Sequence, residues 1–370
     1  MKYVDEFRDA DLIRDTAAEI ERLAAGKRYR IMEVCGGHTH SIYRHGLHQL
    51  LPDAIELVHG PGCPVCVLPM GRVDDGLNLA AREGLTFTAF GDMMRVPGTE
   101  GSALERKAAG MDVRMVYSPL DALQLARDNP ELDVMFFAIG FETTAPSTAL
   151  TLRQAKADGV DNFSVFCNHI TIMPALRALL DDPTMQLDGF IGPGHVSTVI
   201  GCAPYEEIPE RYGKPVAVSG FEPLDLLQSI LLVVRQLNAG EASVENQYGR
   251  AVTWNGNQAA MAAMDEVFAP RPTFEWRGLG GIPNSALALR DTYAAWDAEA
   301  RYAVPGVTVM EPEEACCGEV LKGQMKPSAC PLFGTECTPQ HPVGALMVSS
   351  EGACAAQYQY ARHEAAVQRA

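Results

Sequence analysis

The sequence predicts an α/β protein with two doubly wound parallel-sheet domains of similar architecture and a smaller, cysteine-rich C-terminal domain. Eight short apolar runs precede helix-like stretches, and six of them lead into a polar motif that contains glycine, a pattern typical of buried parallel strands with right-handed crossovers. A length of 370 residues suits two or three domains. Five of the ten cysteines lie between Cys316 and Cys354, which sets the last part of the chain apart.

The first predicted element is an amphipathic N-terminal helix over residues 5–26, where apolar residues recur near a 3.6-residue period. Strands are predicted at 29–34, 54–58, 85–90 and 112–117, and we expect these four to form one unit. A second series is predicted at 133–139, 163–167, 189–191 and 215–219. The predicted domains are therefore an N-terminal helix (1–27), α/β domains at 28–118 and 119–240, and a C-terminal domain at 241–370, with a helical segment near 257–268.

Composition narrows the possible functions. A net charge of −17 argues against a nucleic-acid partner, since phosphate backbones bind basic surfaces. There is no run of 18 apolar residues for a membrane helix, and the acidic N-terminus lacks the apolar core of a signal peptide. We therefore expect a cytoplasmic protein, in which ten cysteines indicate metal or redox chemistry rather than a disulfide framework.

The C-terminal cysteines favour an iron–sulfur cluster. Four thiolates suit either zinc or a cluster, but zinc sites usually contain closely spaced cysteine pairs, and the wider spacing here is more typical of a cluster held by loops. Four ligands leave one of the five cysteines over, and adjacent cysteines rarely bind one cluster together. Gly318 gives the chain freedom after Cys317, so the predicted ligands are Cys317, Cys330, Cys337 and Cys354, with Cys316 spare.

The N-terminal thiols suggest a second site. Cys35, in the motif CGGHTH, follows an apolar strand and precedes a helix, where we expect the pKa of its thiol to be lowered. Together with His38 it would form an incomplete metal shell, open to a ligand from a partner. Cys63 and Cys66, in GPGCPVC, form a C-x-x-C motif that is able to close into a disulfide and carry two electrons.

These features together suggest an electron relay from the cluster through the dithiol to Cys35. Cys167 and Cys202 have no cysteine nearby in sequence, and we expect them to be core residues. Polar side chains that follow the predicted strands are expected to face one cleft, where ligands of such sheets bind. They are Glu142, Thr143, Thr144, His195 and Glu222, with His59, Asp92, Arg95, His169 and Ser197.

The motifs in this order resemble one known family. MEVCGGHTH, HGPGCPVCVLP, FGDMMRVPG, AIGFETTAP, GPGHVSTVIG, SGFEPLDLL, NQYGRAV and the C-terminal cysteine segment are similar to those of the HypD family of [NiFe]-hydrogenase maturation proteins, over about residues 5–362. The resemblance implies two related α/β domains and a third domain with a [4Fe–4S] cluster. It also implies a scaffold role in assembling the Fe(CN)2CO group, together with the small chaperone HypC and with cyanide arriving by way of HypE and HypF.

Carried over residue by residue, the resemblance makes Cys35 the iron-binding cysteine and His38 the nearby motif histidine. Cys63 and Cys66 become the redox dithiol, and Cys317, Cys330, Cys337 and Cys354 become the cluster ligands. Cys316 stands where the family pattern requires no cysteine. The expected class is a metallocofactor assembly scaffold with redox activity, and enzymatic turnover stays open. The alternatives are a stand-alone iron–sulfur-dependent thiol/disulfide reductase and a zinc-stabilised binding module.

Overall fold

The structure is a computed structural model that describes residues 4–309 and 314–368, the stretch from 362 to 368 by its backbone alone. The outer limits of the first and last predicted domains, residues 1 and 370, lie outside these ranges.

Nine parallel strands build two sheets. The strands are β1 (Tyr29–Glu33), β2 (Ile55–His59), β3 (Leu85–Ala89), β4 (Val113–Met115), β5 (Asp133–Gly140), β6 (Phe163–His169), β7 (Gly189–Gly192), β8 (Val216–Val218) and β9 (Val244–Asn246). The first sheet has the order β2-β1-β7-β8-β9, and the second has the order β4-β3-β5-β6. All pairs within both sheets are parallel. The predicted fold of two parallel α/β sheets is confirmed.

The grouping of the strands differs from the prediction. All eight predicted strands are present, and β9 is an additional one. The first four strands do not form one unit, because β1 and β2 join the first sheet while β3 and β4 join the second. The chain changes sheets after β2 and returns after β6, so the predicted boundary at 118/119 falls within the second sheet, and that at 240/241 falls between the adjacent strands β8 and β9.

Helices connect the strands. In chain order they are α1 (Ala10–Ala24), α2 (Gly36–Arg44), α3 (Leu47–Leu50), α4 (Pro64–Val67), α5 (Met70–Ala80), α6 (Ala103–Ala108), α7 (Pro119–Asp128), α8 (Ala145–Asp158), α9 (Ile172–Asp181), α10 (Gly194–Ile200), α11 (Glu207–Tyr212), α12 (Pro223–Ala239), α13 (Gln258–Val267), α14 (Ala298–Tyr302), α15 (Cys317–Leu321) and α16 (Ala353–Gln368). Short 3-10 helices occupy Asp5–Arg8, Met93–Arg95, Ala203–Glu206, Asp291–Trp296, Pro327–Ala329 and Ala345–Met347. Within the described ranges, no helix combines the length and apolar character needed to span a membrane.

The predicted N-terminal helix is confirmed and packs against α12. Ile20 and Ala24 on its inner face are fully buried, in one apolar cluster with Ile230 and Val234 of α12. Leu12, which falls on the same sequence period, is half exposed. The helix begins at Asp9, whose carboxylate accepts the backbone N–H groups of Asp11 and Leu12.

The C-terminal part of the chain is not confirmed as a separate domain. It contributes β9 to the first sheet, and it adds two antiparallel ribbons, β10 (Phe268–Pro270) with β13 (Leu287–Leu289) and β11 (Thr273–Trp276) with β12 (Gly280–Pro283). Cys317, Cys337 and Cys354 belong to the same buried apolar cluster as Val34 and Cys66. The cysteine-rich segment therefore packs directly on the loops that follow the strands of the first sheet.

Candidate thiol site and cysteine cluster

A cleft of about 570 Å³ lies at the carboxyl ends of strands from both sheets. Its walls include Cys35 after β1, Asp92 after β3, Thr143 after β5 and His195 after β7, and Glu351 from the C-terminal segment. Ligands of parallel sheets bind at this edge, where helix N-termini and loop residues converge. Of the residues expected to face one cleft, the structure brings Asp92, Thr143 and His195 to the same wall as Cys35, and Glu351 joins them without having been predicted.

Cys35 lies in the wall of this cleft, immediately before α2. Its side chain is 5 % exposed, and its Sγ lies 3.9 Å from Nδ1 of His195. The backbone of Gly62 runs so close that a Cβ there would lie 2.3 Å from the Cys35 nitrogen, and Gly36 N donates to Gly62 O at 3.2 Å. Only glycine allows the loop with the C-x-x-C motif to approach Cys35 in this way.

The thiol of Cys35 is not activated in the way the sequence suggests. Burial, together with the carboxylates of Glu351 and Glu33, raises its pKa from the ordinary 9.0 to about 12. The expected lowering is wrong because desolvation and two nearby negative charges outweigh the partial positive charge at the start of α2. The thiol therefore stays protonated until a cation displaces the proton.

His38 does not border this cleft. Its ring is completely buried, and Nε2 faces the carbonyl oxygen of Ser219 at 3.1 Å. That carbonyl accepts a hydrogen bond, so the proton is on Nε2, while the buried Nδ1 has no hydrogen-bond partner in the described residues. Burial lowers the pKa of His38 to about 4, which keeps the ring neutral.

A buried carboxylate that the sequence analysis missed holds the backbone at Cys35. Glu33 Oε2 accepts the Cys35 N–H at 3.0 Å, and Oε1 accepts the hydroxyl of Thr39 and a hydrogen bond from His59 Nδ1 at 2.7 Å. Glu33 itself is fully buried. A charged residue within an apolar strand, in YRIMEV, is the signal that would have found it, because buried carboxylates are rare unless paired.

The other predicted cleft residues divide into two groups. Thr143 and Thr144 line the cleft. Glu142 does not: its side chain is 5 % exposed, Oε1 accepts the Ile172 N–H at 3.1 Å, and Oε2 is buried without a partner in the described residues. Burial raises the pKa of Glu142 to about 7. Glu222, next to α12, forms an ion pair with Arg8 instead of facing the cleft.

The remaining strand-end residues hold the surrounding loops together. Asp92 accepts a hydrogen bond from Ser349 at 2.7 Å, and Arg95 donates to the Val348 carbonyl at 2.6 Å, so the loop after β3 is tied to the C-terminal segment. His169 and Ser197 are fully buried. His169 contacts Thr148 at 2.8 Å, and Ser197 donates to the Pro193 carbonyl and to Tyr205.

Cys63 and Cys66 form a disulfide. Cys63 immediately precedes α4 and Cys66 lies within it, and both side chains are buried. Cys167 and Cys202 are buried core residues, as the sequence analysis expects, and the Cys167 thiol donates to the Leu287 carbonyl at 3.3 Å.

The five C-terminal cysteines surround one small apolar cavity of about 20 Å³. Cys316, Cys317, Cys330, Cys337 and Cys354 share its wall with Val320, Leu332, Phe333, Leu346 and Met347. Burial, together with the neighbouring thiols, holds the pKa of Cys354 well above its usual value. Several thiols held together in an apolar setting are the donor set that an iron–sulfur cluster uses, so these residues fit such a group.

In the described ranges, no group of three or more His, Cys, Asp or Glu side chains is arranged to hold a single metal ion. This finding is compatible with a cluster, because each cysteine of a [4Fe–4S] site binds a different iron and the thiols surround a space instead of converging on one point. Near Cys35 the nearest imidazole on the cleft wall is His195, so a cation there would meet an incomplete shell.

A small cavity of about 10 Å³ lies between the two thiol sites. Cys63 and Cys66 line it together with Glu351, which also borders the Cys35 cleft. Val320 and Leu346 line it from the other side and also border the cysteine cavity. The disulfide thus lies between the cleft and the cysteines, an order that the linear sequence does not reveal.

Comparison with known proteins gives one consistent family. A family model described as "HypD: Hydrogenase formation hypA family" matches residues 11–361. The chain is 57% identical over 376 aligned positions to the hydrogenase maturation factor HypD of Rhodobacter capsulatus, covering 99% of this chain and 100% of the relative. It is 54% identical to the Azotobacter vinelandii protein of the same name, with 99% of each chain covered, and 51% identical to that of Escherichia coli K12, covering 98% of this chain and 99% of the relative.

Proposed function

The chain belongs to the HypD family of hydrogenase maturation factors, and on this premise we propose that it is the scaffold on which the Fe(CN)2CO group of [NiFe]-hydrogenase is assembled. The iron atom is the cargo of this reaction, and Cys35 is its ligand on this chain. The proposed partners are a HypC-type small chaperone, which shares the iron, and HypE, which with HypF delivers cyanide. We place the reaction in the cytoplasm.

The observation that carries the proposal is the position of Cys35. It is a thiol in the wall of a cleft of about 570 Å³, with one imidazole 3.9 Å away and no completed metal shell around it in the described residues. A shell of this kind leaves coordination positions for diatomic ligands and for a thiolate from a partner. The raised pKa of the Cys35 thiol fits a ligand that releases its proton only when the iron arrives.

The groups facing Cys35 supply the environment for cyanide. Cyanide bound to iron carries negative charge on nitrogen, which hydrogen-bond donors stabilise in a site with little water. Thr143 offers a hydroxyl group from the loop after β5, and the imidazole of His195 offers Nδ1 or Nε2 according to its tautomer. The hydroxyl of Thr144 instead donates to the carbonyls of Ile139 and Phe141. Glu142 has no place in this role, since its carboxylate points away from the cleft.

The disulfide provides a two-electron store beside the cleft. Reduction of the Cys63–Cys66 bond takes two electrons and two protons and gives two thiols, and reoxidation returns them. Cys317, Cys330, Cys337 and Cys354 would hold a [4Fe–4S] cluster, which supplies single electrons when bound. Glu351 borders both the cleft and the disulfide cavity, so it is placed to exchange protons with either.

The test is infrared spectroscopy of the anaerobically purified complex of this chain with its small chaperone, co-expressed with the other maturation proteins. We expect two bands from metal-bound cyanide and one from CO. Cys35→Ala is expected to abolish all three, whereas Cys202→Ser, a control at a buried thiol that does not border the cleft, is expected to keep them. Bands that persist in Cys35→Ala would reject Cys35 as the iron ligand.

A second candidate is a stand-alone iron–sulfur-dependent thiol/disulfide reductase. It is favoured by the small cavity that places the Cys63–Cys66 disulfide beside the cysteine cavity. Such a reductase needs the disulfide and the cluster but not Cys35. Disulfide-reducing activity of the purified chain that survives Cys35→Ala, in a complex without cyanide and CO bands, would favour this reading.

A further inference from the structure

The strand-end motifs converge on one aromatic ring. Phe221, which follows β8, stacks on the His195 imidazole with a centroid distance of 3.9 Å and an interplanar angle of 23°. The buried ring of His38 lies on it too, at 4.9 Å and 36°, and Tyr248 meets it edge-on at 5.9 Å. Phe221 thus lies between a histidine of the CGGHTH motif and a histidine of the GPGHVS motif.

Two glycines make room for this ring. A Cβ at Gly37 would lie 2.8 Å from Cε1 of Phe221 and 3.2 Å from Cε1 of His195. A Cβ at Gly194 would lie 2.9 Å from Cε2 of Phe221. The backbone at position 37 could be adopted by any residue, since it lies in α2 and its φ is not positive. The reason for glycine there is the space that the two rings occupy.

We infer that Phe221 is a positioning residue that holds the His195 imidazole against the thiol of Cys35, with Gly37 keeping the space for it. His195 faces the open cleft, so its side chain would otherwise be free to turn into solvent, and Phe221 limits it to the rotamer that puts Nδ1 3.9 Å from Sγ. The neutral, buried His38 also packs on the Phe221 ring and is held in place by its bond to Ser219.

The inference deepens the proposed function, since it rests on Cys35 being the reactive group of the cleft. It assigns His38 an indirect role: through Phe221, this histidine acts on the side chain that contacts Cys35. Of the rings in this stack, the imidazole of His195 is the one that reaches the thiol. The GFEP motif, whose glutamate pairs with Arg8 away from the cleft, contributes its phenylalanine instead.

The test is a double-mutant cycle on the purified, iron-free chain, which keeps it independent of scaffold activity. The measured quantity is the rate at which methyl methanethiosulfonate modifies Cys35 at one fixed pH, followed by mass spectrometry of the peptide containing Cys35. We expect Phe221→Leu and Gly37→Ala each to slow this reaction by about two- to tenfold, the range for loss of one ordinary hydrogen-bond contact. In a His195→Ala background, both changes are expected to have no further effect.

Phe268→Leu is the matched control. Phe268 is also a buried ring beside a histidine, edge-on to His169 at 5.9 Å, but it does not border the cleft. It should leave the Cys35 rate unchanged. A second readout is the upfield shift that stacking gives the ring protons of His195 in a ¹³C-histidine NMR spectrum, which should be lost in Phe221→Leu.

Equal slowing by Phe221→Leu with and without His195 would overturn the inference, because the ring would then act on Cys35 by another route. The inference would also be overturned if Phe221→Leu loses the shift of the His195 ring protons while the rate of Cys35 modification stays unchanged. Gly37→Ala keeps a helical backbone, and the three atoms nearest its new methyl group all belong to side chains, so this variant tests the geometry even if Phe221→Leu folds poorly. If the infrared bands are absent but the double-mutant cycle gives the expected rates, the scaffold role is rejected and the positioning role of Phe221 stands.

Discussion

At the scale of single residues, burial decides the chemistry more than sequence neighbours do. Cys35 and His38 are three residues apart, and both are expected from sequence to meet one metal. In the structure Cys35 borders the cleft, while His38 is fully buried and bonded to Ser219. Residues at i and i+3 in a helix lie on one face, but Cys35 precedes the helix and has extended backbone angles, so the rule does not apply to this pair.

Glu142 gives a pH-dependent prediction. Its folded-state pKa of about 7 exceeds the ordinary 4.5, so the folded state binds the proton more tightly than the unfolded chain does. The stability linked to this proton is present below pH 4.5 and is lost as pH rises through 7. We expect the unfolding free energy of wild type to fall by about 3 kcal/mol more between pH 4 and pH 8 than that of Glu142→Gln.

Urea unfolding of wild type and Glu142→Gln at both pH values measures this difference. Glu83→Gln, at an exposed position, serves as the control and should leave the pH dependence unchanged. An equal fall between pH 4 and pH 8 in wild type and Glu142→Gln would show that the carboxyl group titrates normally in the folded protein.

At the scale of elements, a buried ion cluster joins helices and strands that are far apart in sequence. Arg72 of α5 and Arg271 share the carboxylate of Glu299 in α14, and both donate to the Cys167 carbonyl of β6. Burial alone would raise the pKa of Glu299, but the two guanidinium groups outweigh it and lower that pKa. The cluster therefore fixes the C-terminal part of the chain to the second sheet.

Glu299→Gln is expected to lower the unfolding free energy at pH 7 by about 2–4 kcal/mol, because it leaves two partly buried guanidinium groups without their shared carboxylate. The lowered pKa of Glu299 means that this contribution is present above pH 4.5 and is lost as pH falls through the folded-state value. Glu100→Gln changes an ion pair with Arg106 whose glutamate is 75 % exposed, and it should alter stability by less than about 1 kcal/mol. Comparable losses in the two variants, measured by urea unfolding, would contradict the structural role of the cluster.

At the scale of the whole molecule, the thiol groups lie in a spatial series of cleft, disulfide and cysteine cavity. The series is assembled from the first 66 residues and from the last part of the chain. Because the C-terminal cysteines share a buried core with the loops of the first sheet, we propose that loading of their cavity affects the packing around Cys63 and Cys66.

The adjacent cysteines 316 and 317 offer a matched pair of variants. Cys317 is buried in the wall of the cavity and Cys316 is partly exposed. After anaerobic reconstitution with iron and sulfide, Cys317→Ser is expected to lose most of its bound iron and acid-labile sulfide, and Cys316→Ser to retain both. The reverse result would make Cys316 the ligand, and retained metal without sulfide in wild type would indicate zinc.

The sequence by itself determines the elements and the residue types of the site. Short apolar runs, most of them ending in a motif that contains glycine, predict eight of the nine parallel strands, since a strand buried on both faces is apolar throughout. Motif residues at strand ends predict a cleft, because the carboxyl ends of parallel strands share one edge. The cysteine spacing predicts that Cys317, Cys330, Cys337 and Cys354 meet, and the structure adds the fifth thiol, Cys316, to the wall of the same cavity.

Only the tertiary structure decides how these parts combine. Strand order is set by long-range crossovers, so the sequence does not show that β1 and β2 pair with β7 while β3 and β4 pair with β5. Side-chain direction and desolvation depend on packing from distant segments. For this reason the pKa of Cys35 rises where the sequence suggests a fall, and Glu142 points away from the cleft. For the same reason Phe221, Glu33 and Glu351, none of them predicted, lie around a site for which the sequence predicts Cys35, His38 and the strand-end polar residues.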